Sequence, residues 1–244
     1  MKETIETPPA FGLKEDWNSI QRTLEEIIPV YDKTNRYISL GTDLRIRKAG
    51  IALLREVMGT DDFLLLDLGC GTGKMTDLFG AATRTTDRVL LVDPILGMMR
   101  IARSRTKAQG LLAVYENLPF RTGSIDAAMA GFSIRDARDL KRALSQLDDV
   151  LRPGGRFLIV DLSKPDSKVK SVFISAYWRL IAPVLAFAAA GRQGLKFAAL
   201  STTYRRLPKH SQLVELFQMC GFSVEKSESF MIGGASVIVI RKNV

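Results

Sequence analysis

Three closely spaced glycines and two acidic residues form the part of this sequence best suited to chemistry. Gly69, Gly71 and Gly73 follow Asp67, and Asp93 comes 20 residues after the last of these glycines. Glycine allows the backbone to approach a ligand where a side chain would collide. An acid at the end of the next strand hydrogen-bonds ribose hydroxyls in nucleotide-binding α/β folds. The pattern therefore predicts a site for a ligand with a ribose, and the two acids favour a cationic one.

The spacing of the glycines separates this turn from two other nucleotide-binding turns. A dinucleotide fingerprint reads G-x-G-x-x-G, and Lys74 stands where its last glycine would fall. A P-loop requires Ser or Thr after its lysine, whereas Met75 follows Lys74. What remains resembles motif I of the S-adenosylmethionine-dependent methyltransferases. Two simpler interpretations stay open: a tight strand–helix connection, and an Asp93 that serves only as a turn residue before Pro94.

Alternating strand and helix patterns surround this turn. The apolar run Phe63–Leu66 predicts a buried strand before it, and a helical pattern begins at Lys74. The further predicted strands are Arg88–Val92, Leu111–Tyr115, Ile125–Ala130, Arg156–Leu162, Phe222–Ser229 and Ala235–Arg241. The further predicted helices are Ser19–Ile28, Asp43–Met58, Ile95–Ala108 closed by Gly110, Leu140–Leu151 and Pro208–Met219. This alternation indicates a mostly parallel sheet with helices on both faces.

The residues before the sheet predict an arm and a helical cap. Met1–Trp17 is polar and contains proline, without the apolar core of a signal peptide. Asp43 is the expected N-cap of its helix. The basic residues of that helix are interpreted as its solvent-facing side. They are Arg45, Arg47, Lys48 and Arg55. We expect the arm and cap at 1–58 and the main domain at 59–244, with an apolar helical insertion near 166–203.

Composition narrows the class of protein. The chain has 244 residues, of which 46% are hydrophobic and 25% charged, as is usual for a soluble globular protein. Its net charge of +9 suggests an anionic partner: a membrane surface, nucleic acid or an acidic substrate. An inert basic surface is the open alternative. Cys70 and Cys220 are far apart and lack metal-ligand spacing, which predicts reduced thiols, an intracellular protein and no metal.

Several stretches together resemble the ubiquinone/menaquinone biosynthesis C-methyltransferase family. They are YDKTN (Tyr31–Asn35), SLG (Ser39–Gly41), DLGCGTG (Asp67–Gly73), DPILGMM (Asp93–Met99), ENLPF (Glu116–Phe120), SIDAAMAGFSIRD (Ser124–Asp136), LRPGGRFLIVDLSKP (Leu151–Pro165), YRRL (Tyr204–Leu207), CGF (Cys220–Phe222) and the pair Gly233 and Gly234. The resemblance covers about Tyr31 to Arg241. It implies a Rossmann-like class I methyltransferase fold with a seven-stranded mostly parallel sheet and an N-terminal helical cap.

The resemblance also implies the ligands and the site. The implied cofactor is S-adenosyl-L-methionine, and the implied acceptor is a ring carbon of a hydroquinone with an isoprenoid tail. The candidate cofactor-binding residues are Asp67, Gly69, Cys70, Gly71, Thr72, Gly73, Asp93, Pro94, Met98, Glu116, Asn117 and Leu118. Arg135 is the candidate for contact with the phenolate, and Asp136 and Tyr31 are candidates for proton handling. The lone histidine, His210, lies near the start of a late helix and is not expected to be the base.

The chain departs from the family pattern at positions that bear on substrate recognition. Val114 stands where the family has an acid against the adenine, so adenine recognition is expected to use backbone groups. Asp43 and Ile46 replace a histidine and a tryptophan, and Asp136 replaces an asparagine. These changes leave the identity of the acceptor open.

The apolar stretch Val172–Ala190 bears on the kind of substrate that the protein binds. It is nearly long enough to span a membrane, but Arg179 and Pro183 interrupt it. We expect it to line an apolar pocket or to lie at a membrane surface, and an ordinary core helix is the alternative. The basic stretch GRQGLK, Gly191–Lys196, is predicted to be a flexible lid or a phospholipid contact. We therefore expect a cytoplasmic protein with peripheral contact at the inner face of the membrane.

Other functions remain open at this point. The positive charge favours an RNA or protein methyltransferase, but Gly131–Ile134 lacks the Pro-Pro-aromatic motif common in N-methylating enzymes. No appended RNA-binding module is visible, so no nucleic acid partner is expected. A non-catalytic cofactor-binding protein and an enzyme for another small acceptor, such as a sterol-like compound or an amine, are further alternatives. A homo-oligomer is also left open.

Overall fold

A seven-stranded sheet forms the centre of the molecule. The computed structural model describes residues 16–204 and 207–243. The strands are β1 Leu65–Leu68, β2 Val89–Val92, β3 Gln109–Leu111, β4 Ile125–Gly131, β5 Leu151–Leu162, β6 Phe222–Phe230 and β7 Ala235–Lys242. Their order is β3-β2-β1-β4-β5-β7-β6, and β7 alone runs antiparallel to its two neighbours in this sheet. The predicted fold class, a seven-stranded mostly parallel sheet of the Rossmann-like type, is confirmed.

Helices cover both faces of the sheet. The helices in the described part of the chain are α1 Trp17–Ile27, α2 Tyr31–Ile38, α3 Thr42–Met58, α4 Lys74–Thr83, α5 Leu96–Thr106, α6 Leu140–Val150, α7 Lys168–Ala176, α8 Ala182–Tyr204 and α9 His210–Met219. Helices α3, α4 and α5 share one apolar core with the sheet, and α6 and α9 share another on the opposite face. The period-2 alternation of strand side chains produces these two cores, since Leu65 lies in one and Leu66 in the other.

A third, smaller apolar cluster joins the N-terminal helices to the helical insertion. Ile27 from α1 and Ile38 from α2 pack with Ala182, Ala186 and Phe197 of α8. Helix α3 packs on the sheet through Gly50, where an added Cβ would lie 2.6 Å from Val160. Helices α1 and α2 therefore cover one end of the sheet together with α7 and α8. The predicted arm, 1–17, lies outside the described residues except for its last two, and so do Arg205 and Arg206 of the YRRL stretch.

The boundaries of the third strand and of the helix before it differ from the predictions. The third strand is Gln109–Leu111 and not Leu111–Tyr115, because Val114 turns back to form an isolated bridge with Asn117. The preceding helix ends at Thr106 and not at Ala108, because Lys107 adopts a left-handed conformation with φ +61°.

The start of α3 also differs from the prediction. Its N-cap is Gly41, which has φ +74°, and Asp43 lies in the first turn of the helix. The Asp43 carboxylate accepts a hydrogen bond of 2.9 Å from the hydroxyl of Ser39. Asp43 therefore holds the α2–α3 connection and does not cap the helix. Helix α2 itself had no predicted counterpart.

The insertion is a folded helical unit. Helix α7 continues through a π-helical segment, Tyr177–Ile181, into α8, which breaks sharply at Ala190 and Gly191. An added Cβ at Gly194 would lie 1.8 Å from the carbonyl oxygen of Ala186, so the two parts of α8 approach closely. After this break the GRQGLK stretch is helical, and its flexibility stays a prediction.

The insertion also has an apolar outer surface. By length and composition alone, the continuous helical stretch Lys168–Leu195 meets the requirement for crossing a membrane, although core helices of soluble proteins meet it as well. Only 22% of its most apolar window is buried, which distinguishes it from a core helix.

Candidate active site

The three positions of the turn after β1 are glycines for different structural reasons. All three adopt positive φ angles of +61°, +54° and +81° for Gly69, Gly71 and Gly73. An added Cβ at Gly69 would lie 2.7 Å from Ser133, and one at Gly73 would lie 3.0 Å from the backbone of Ala102. At Gly71 no heavy atom of the described residues lies within 4 Å of such a Cβ. Gly69 and Gly73 therefore permit packing, whereas Gly71 borders open space at the mouth of a cleft.

Asp67 lies beneath this turn and fixes the start of α4. Its Oδ2 accepts hydrogen bonds from the backbone N–H of Thr76 at 3.2 Å and from the Thr76 hydroxyl at 2.7 Å. Its Oδ1 is buried and has no hydrogen-bond partner among the described residues. Burial raises the Asp67 pKa to about 6, against the hydrogen bonds from Thr76 and the charge of Arg47. Asp67 supports the turn from below and does not line the cleft itself.

Asp93 connects the end of β2 to the glycine turn. Its Oδ2 accepts a 2.8 Å hydrogen bond from the Gly71 N–H, and its Oδ1 accepts one of the same length from the Ile95 N–H. Burial raises the Asp93 pKa to about 6, and the two backbone hydrogen bonds oppose this rise. A carboxylate offers about four acceptor positions, so two remain for a ligand. Asp93 borders the cleft together with Pro94 and Met98.

The cleft above the turn has the size and chemistry for a nucleoside ligand. Its empty volume is about 870 Å³ including the open mouth. Eight of the predicted cofactor residues line it: Gly69, Cys70, Gly71, Thr72, Asp93, Pro94, Met98 and Glu116. Val114 and Tyr115 line it beside Glu116, whose Oε1 accepts a 2.9 Å hydrogen bond from the Asp139 N–H. Backbone groups, an acid and apolar walls fit the adenosine and the amino acid of S-adenosylmethionine.

The other four predicted cofactor residues lie outside this cleft. Asp67 and Gly73 support the turn, as described above. Leu118 is buried in the core shared by α6 and α9. Asn117 lines an adjoining surface depression, which shares Val114 and Glu116 with the cleft. The Leu118 side chain faces this core and not the cleft, and contact of Leu118 with the cofactor stays a prediction.

Helices α1 and α2 close the cleft from above. Asp32 on α2 accepts a 2.7 Å hydrogen bond from the Thr72 hydroxyl and forms an ion pair of 2.6 Å with Arg105. Lys74 lies 3.7 Å from the same carboxylate. These bonds hold the cap directly on the glycine turn. From α1, Trp17 lines the cleft, and its ring lies 4.5 Å from the guanidinium of Arg138 on the opposite rim.

A second cavity adjoins the cleft. It measures about 910 Å³ including its opening. Its apolar walls come from α2, α3, the β5 end and the insertion. They include Ile38, Ile46, Leu162, Trp178, Phe197 and Met231. Seven residues line both spaces, namely Leu24, Tyr31, Asn35, Asp43, Arg47, Phe132 and Asp136. The insertion therefore lines an apolar pocket, in agreement with one of the two predicted placements.

Arg135 lines the second cavity and is also part of a buried ion-pair network. Its guanidinium pairs with Asp161, and its backbone N–H donates to the same carboxylate at 3.2 Å. Asp136 lies 3.8 Å from the guanidinium. Burial lowers the Arg135 pKa, but Asp161 and Asp136 outweigh burial and raise it above its usual range. Arg135 is therefore a fixed cation at the wall of the apolar cavity.

Asp136 and Tyr31 both lie where the two cavities meet. Burial raises the Asp136 pKa to about 6; Arg135 opposes the rise, while Asp161 and Asp93 add to it. Burial also raises the pKa of Tyr31, whose ring centroid lies 5.9 Å from that of Phe197. Asp136 can accept a proton near neutral pH, whereas Tyr31 is held in its protonated form.

Arg47 contradicts the prediction that the basic residues of α3 face solvent. Arg45 and Lys48 are exposed, and Arg55 pairs with Asp61 at the surface at 2.6 Å. Arg47 instead lines both cavities. Its spacing from Ile51 and Leu54, four and seven residues on, places it on the buried face of the helix. This spacing was the signal that could have identified it.

Several residues outside the predicted set also shape the site. The Tyr115 hydroxyl donates to the carbonyl of Leu68 at 2.7 Å and lies 2.8 Å from the Ser133 hydroxyl, which supports the end of β1.

His210 bonds to Ser236 and Ser227 and lines neither cavity. Among the described residues, no group of three His, Cys, Asp or Glu side chains is arranged to hold a metal ion.

Comparison with known proteins agrees with this geometry. The model of the ubiE/COQ5 methyltransferase family matches residues 12–242. A demethylmenaquinone methyltransferase from Symbiobacterium thermophilum is 29% identical over 243 residues, which cover 95% of each chain. A 2-phytyl-1,4-naphtoquinone methyltransferase from Nostoc punctiforme is 29% identical over 235 residues, which cover 92% of this chain and 99% of that protein.

A solved structure resembles the fold. It is 1,6-didemethyltoxoflavin-N1-methyltransferase from Burkholderia thailandensis, with bound 1,6-didemethyltoxoflavin and S-adenosylhomocysteine. The TM-score is 0.57 at 17% identity, and the match covers 89% of this chain and 88% of that one. At this identity the likeness concerns the fold alone.

Proposed function

Because the chain belongs to the ubiE/COQ5 methyltransferase family, we propose that it methylates a ring carbon of a hydroquinone with an isoprenoid tail, using S-adenosylmethionine. The observation that carries this proposal is the pair of adjoining cavities, one bordered by the glycine turn and Asp93 and the other apolar. The names of the Symbiobacterium and Nostoc relatives support a quinone as the acceptor.

The residues of the cleft suit the methyl donor. When bound, S-adenosylmethionine supplies an electrophilic methyl group on a sulfonium. Asp93 would accept hydrogen bonds from the ribose hydroxyls, and Gly71 leaves its backbone open to the ligand. Pro94 and Met98 offer apolar contacts beside Asp93. The N-terminal helices Trp17–Ile27 and Tyr31–Ile38 would exclude water from the reacting groups.

Asp136 and Arg135 carry the acceptor chemistry in this proposal. A ring carbon becomes nucleophilic when the neighbouring phenol loses its proton, and Asp136 would take that proton as a general base. Arg135 would stabilise the phenolate oxygen with its fixed charge. The ring carbon then forms a bond to the methyl carbon as the carbon–sulfur bond breaks. The hydrogen on that ring carbon leaves as a proton, which restores the phenolate, and Asp136 returns its own proton to the phenolate oxygen. The products are the methylated quinol, S-adenosylhomocysteine and one proton.

The insertion gives the isoprenoid tail an apolar surface. Trp178 and Phe197 line the second cavity from within. On the outside, large apolar side chains of α7, the π-helical segment and α8 are exposed. These residues, the apolar outer face, are Val169, Val172, Phe173, Leu180, Ile181, Val184 and Phe187. Monomeric soluble proteins seldom expose so many apolar residues together, so this face supports a membrane contact through which the tail enters.

The basic residues beside the apolar outer face favour an anionic membrane. Lys168, Lys170, Arg179 and Arg192 are exposed there. Lys196, expected to belong to this group, pairs with Glu26 on α1 at 2.5 Å. Exposed basic groups near an anionic surface contribute about 1 kcal/mol each. We therefore place Arg192, and not Lys196, among the groups that bind the membrane, and propose a peripheral location at its inner face.

Liposome co-sedimentation tests the membrane contact. Binding should rise with anionic lipid and fall with salt, because salt screens exposed charges. Phe173→Glu and Phe187→Glu should each weaken sedimentation, since they place a carboxylate in the apolar outer face. Met219→Glu is the matched control, because Met219 is an exposed apolar residue of α9 at 51%. Equal loss in all three variants, or no binding of the wild type, would reject the contact.

The proposed reaction is tested in a strain that lacks the protein. The proposal predicts that this strain accumulates a quinone lacking one ring methyl group and that the wild-type chain restores the methylated form. An unchanged lipid quinone profile, with undermethylated RNA or protein instead, would favour the alternative acceptors. If the profile is unchanged and the purified protein binds S-adenosylhomocysteine without turnover, the chain is a binding protein.

A further inference from the structure

Arg47 is a cation whose hydrogen-bonding capacity is largely unused. Its Nη1 donates to the carbonyl of Gly131 at 3.3 Å, and its guanidinium lies 4.7 Å from the ring centroid of Phe132. Its Nε is buried without a hydrogen-bond partner, and no carboxylate among the described residues lies within ion-pair distance of it. A guanidinium has five N–H donors, so most of them are free to meet a ligand.

The surroundings of Arg47 favour an anionic partner. Burial lowers the Arg47 pKa, while the nearby Tyr31, Asp43, Asp67 and Asp32 raise it. A guanidinium keeps its charge even so, and a desolvated charge without a counter-ion is costly. Arg135 differs in this respect, because it already forms ion pairs with Asp161 and Asp136. Arg47 lacks such a close anionic partner among the described residues.

The position of Arg47 identifies which end of the ligand it faces. Arg47 borders both cavities at their junction, on the side of Gly131 at the end of β4. An added Cβ at Gly131 would lie 2.2 Å from the Arg47 Nη1, so a glycine is required there for the guanidinium to reach this place. Asp93, the proposed ribose contact, instead accepts a hydrogen bond from the N–H of Gly71 in the glycine turn. The reacting methyl group must lie at the junction, next to the amino acid portion of the donor.

We propose that Arg47 binds the α-carboxylate of S-adenosylmethionine and so positions the sulfonium between the two cavities. This inference rests on the proposed function. The α-carboxylate is the only anionic group of that donor, and its planar pair of oxygens matches the guanidinium fork. Pairing also neutralises Arg47, which would otherwise repel the positive sulfonium at short range.

Calorimetry with two ligands tests this proposal. S-adenosylhomocysteine carries the α-carboxylate, and decarboxylated S-adenosylhomocysteine lacks only that group. Arg47→Met should weaken binding of the first by roughly 10- to 100-fold, the effect of a charge-assisted hydrogen bond in a partly buried site. It should leave binding of the second nearly unchanged. Arg47→Lys should restore part of the affinity, since it keeps the charge and loses the fork.

Lys48→Met is the matched control, because Lys48 is the next residue of the same helix and is exposed. It should bind both ligands like the wild type, and thermal unfolding should show that both methionine variants fold. Equal losses for the two ligands in Arg47→Met, or no loss for either, would overturn the role of Arg47. A loss confined to the Michaelis constant of the quinol would assign Arg47 to the acceptor instead and would also overturn it. If the wild type bound neither ligand, the proposed function would fail as a whole.

Discussion

The cleft beside the glycine turn and the cavity beneath the insertion adjoin, yet they are built in different ways. The cleft is formed by backbone at the ends of parallel strands, where Asp93 holds the N–H of Gly71 at 2.8 Å. The cavity is formed by side chains from segments distant in sequence, such as Tyr31, Arg135 and Phe197. One half of the site is therefore fixed by the sheet, whereas the other half depends on how the helices pack on the sheet.

This difference predicts a separation of effects. A change in the turn should alter binding of the donor and leave the acceptor cavity intact, and a change in the helical insertion should do the reverse. At the junction, Asp136 should affect the chemical step and Arg47 the binding of the donor.

Gly71→Leu should have the largest effect and should act on the donor alone. The side chain would enter the open space of the cleft, so affinity for S-adenosylhomocysteine should fall by more than about 100-fold by calorimetry. Gly123→Leu is the control, because Gly123 has a similar φ of +65° and is equally free of neighbours but lies outside the cleft. Unchanged affinity in Gly71→Leu would show that the turn does not bind the donor.

Asp136→Asn should affect the chemical step at the junction. Asp136 acts as a base only when ionised, and its pKa is raised to about 6, chiefly by burial. The wild-type kcat should therefore fall as pH drops below about 6 and level off above it. The asparagine variant should lose roughly 100-fold in kcat near pH 8, the usual contribution of a general base.

The pH profile of the asparagine variant separates Asp136 from the other acids. The pKa of Asp93 is also raised to about 6. A fall in kcat near that pH therefore does not by itself identify the base. The limb in kcat should disappear in Asp136→Asn while affinity for S-adenosylhomocysteine stays the same. A variant that keeps both the limb and the rate would place the base elsewhere.

Asp93→Ala should weaken the affinity for the donor about tenfold. This corresponds to one lost charge-assisted hydrogen-bond site, worth ~1.5 kcal/mol. Equilibrium titration with S-adenosylhomocysteine measures it. Asp87→Ala, an exposed acid just before β2, should leave affinity unchanged. The Michaelis constant for the acceptor should not change in Asp93→Ala once the donor is saturating, and a change there would break the separation of the two regions.

Phe197→Leu should give the smallest effect and should act on the acceptor alone. The shorter side chain removes on the order of 40 Å² of apolar contact, worth ~1 kcal/mol, or about fivefold in the Michaelis constant. Steady-state kinetics should show this rise for a tailed quinol and almost none for a short, water-soluble analogue. A weaker affinity for the donor in this variant would indicate that the two cavities are coupled through the helices.

The same difference explains how much the sequence could predict. The strand, turn and acid of the cleft are close in sequence, so the glycine spacing and the 20-residue step to Asp93 located them correctly. Arg135 and Asp136 were also placed at the cavities, because they follow a strand end directly. These features depend on local chemistry, which a single sequence records.

The remaining features depend on tertiary packing. Arg47 looked like one basic residue among four, and only the packing of α3 on the sheet turns it toward the junction. Lys196 looked free to meet a phospholipid, but α1 brings Glu26 to it. The sequence of the GRQGLK stretch did not reveal that Gly194 packs closely against Ala186. In each case the deciding partner lies far away in the sequence or across a bend in the chain.

The most direct test of the central claim follows one methyl group between the two cavities. The purified protein is incubated with S-adenosylmethionine that carries a deuterated methyl group and with a tailed, demethylated naphthohydroquinone, and the product is examined by mass spectrometry and NMR. We expect a deuterated methyl group on a ring carbon, formed by the wild type and absent with Gly71→Leu. A deuterated methyl group on an oxygen, or no labelled quinone beside a wild type that binds the donor, would contradict it.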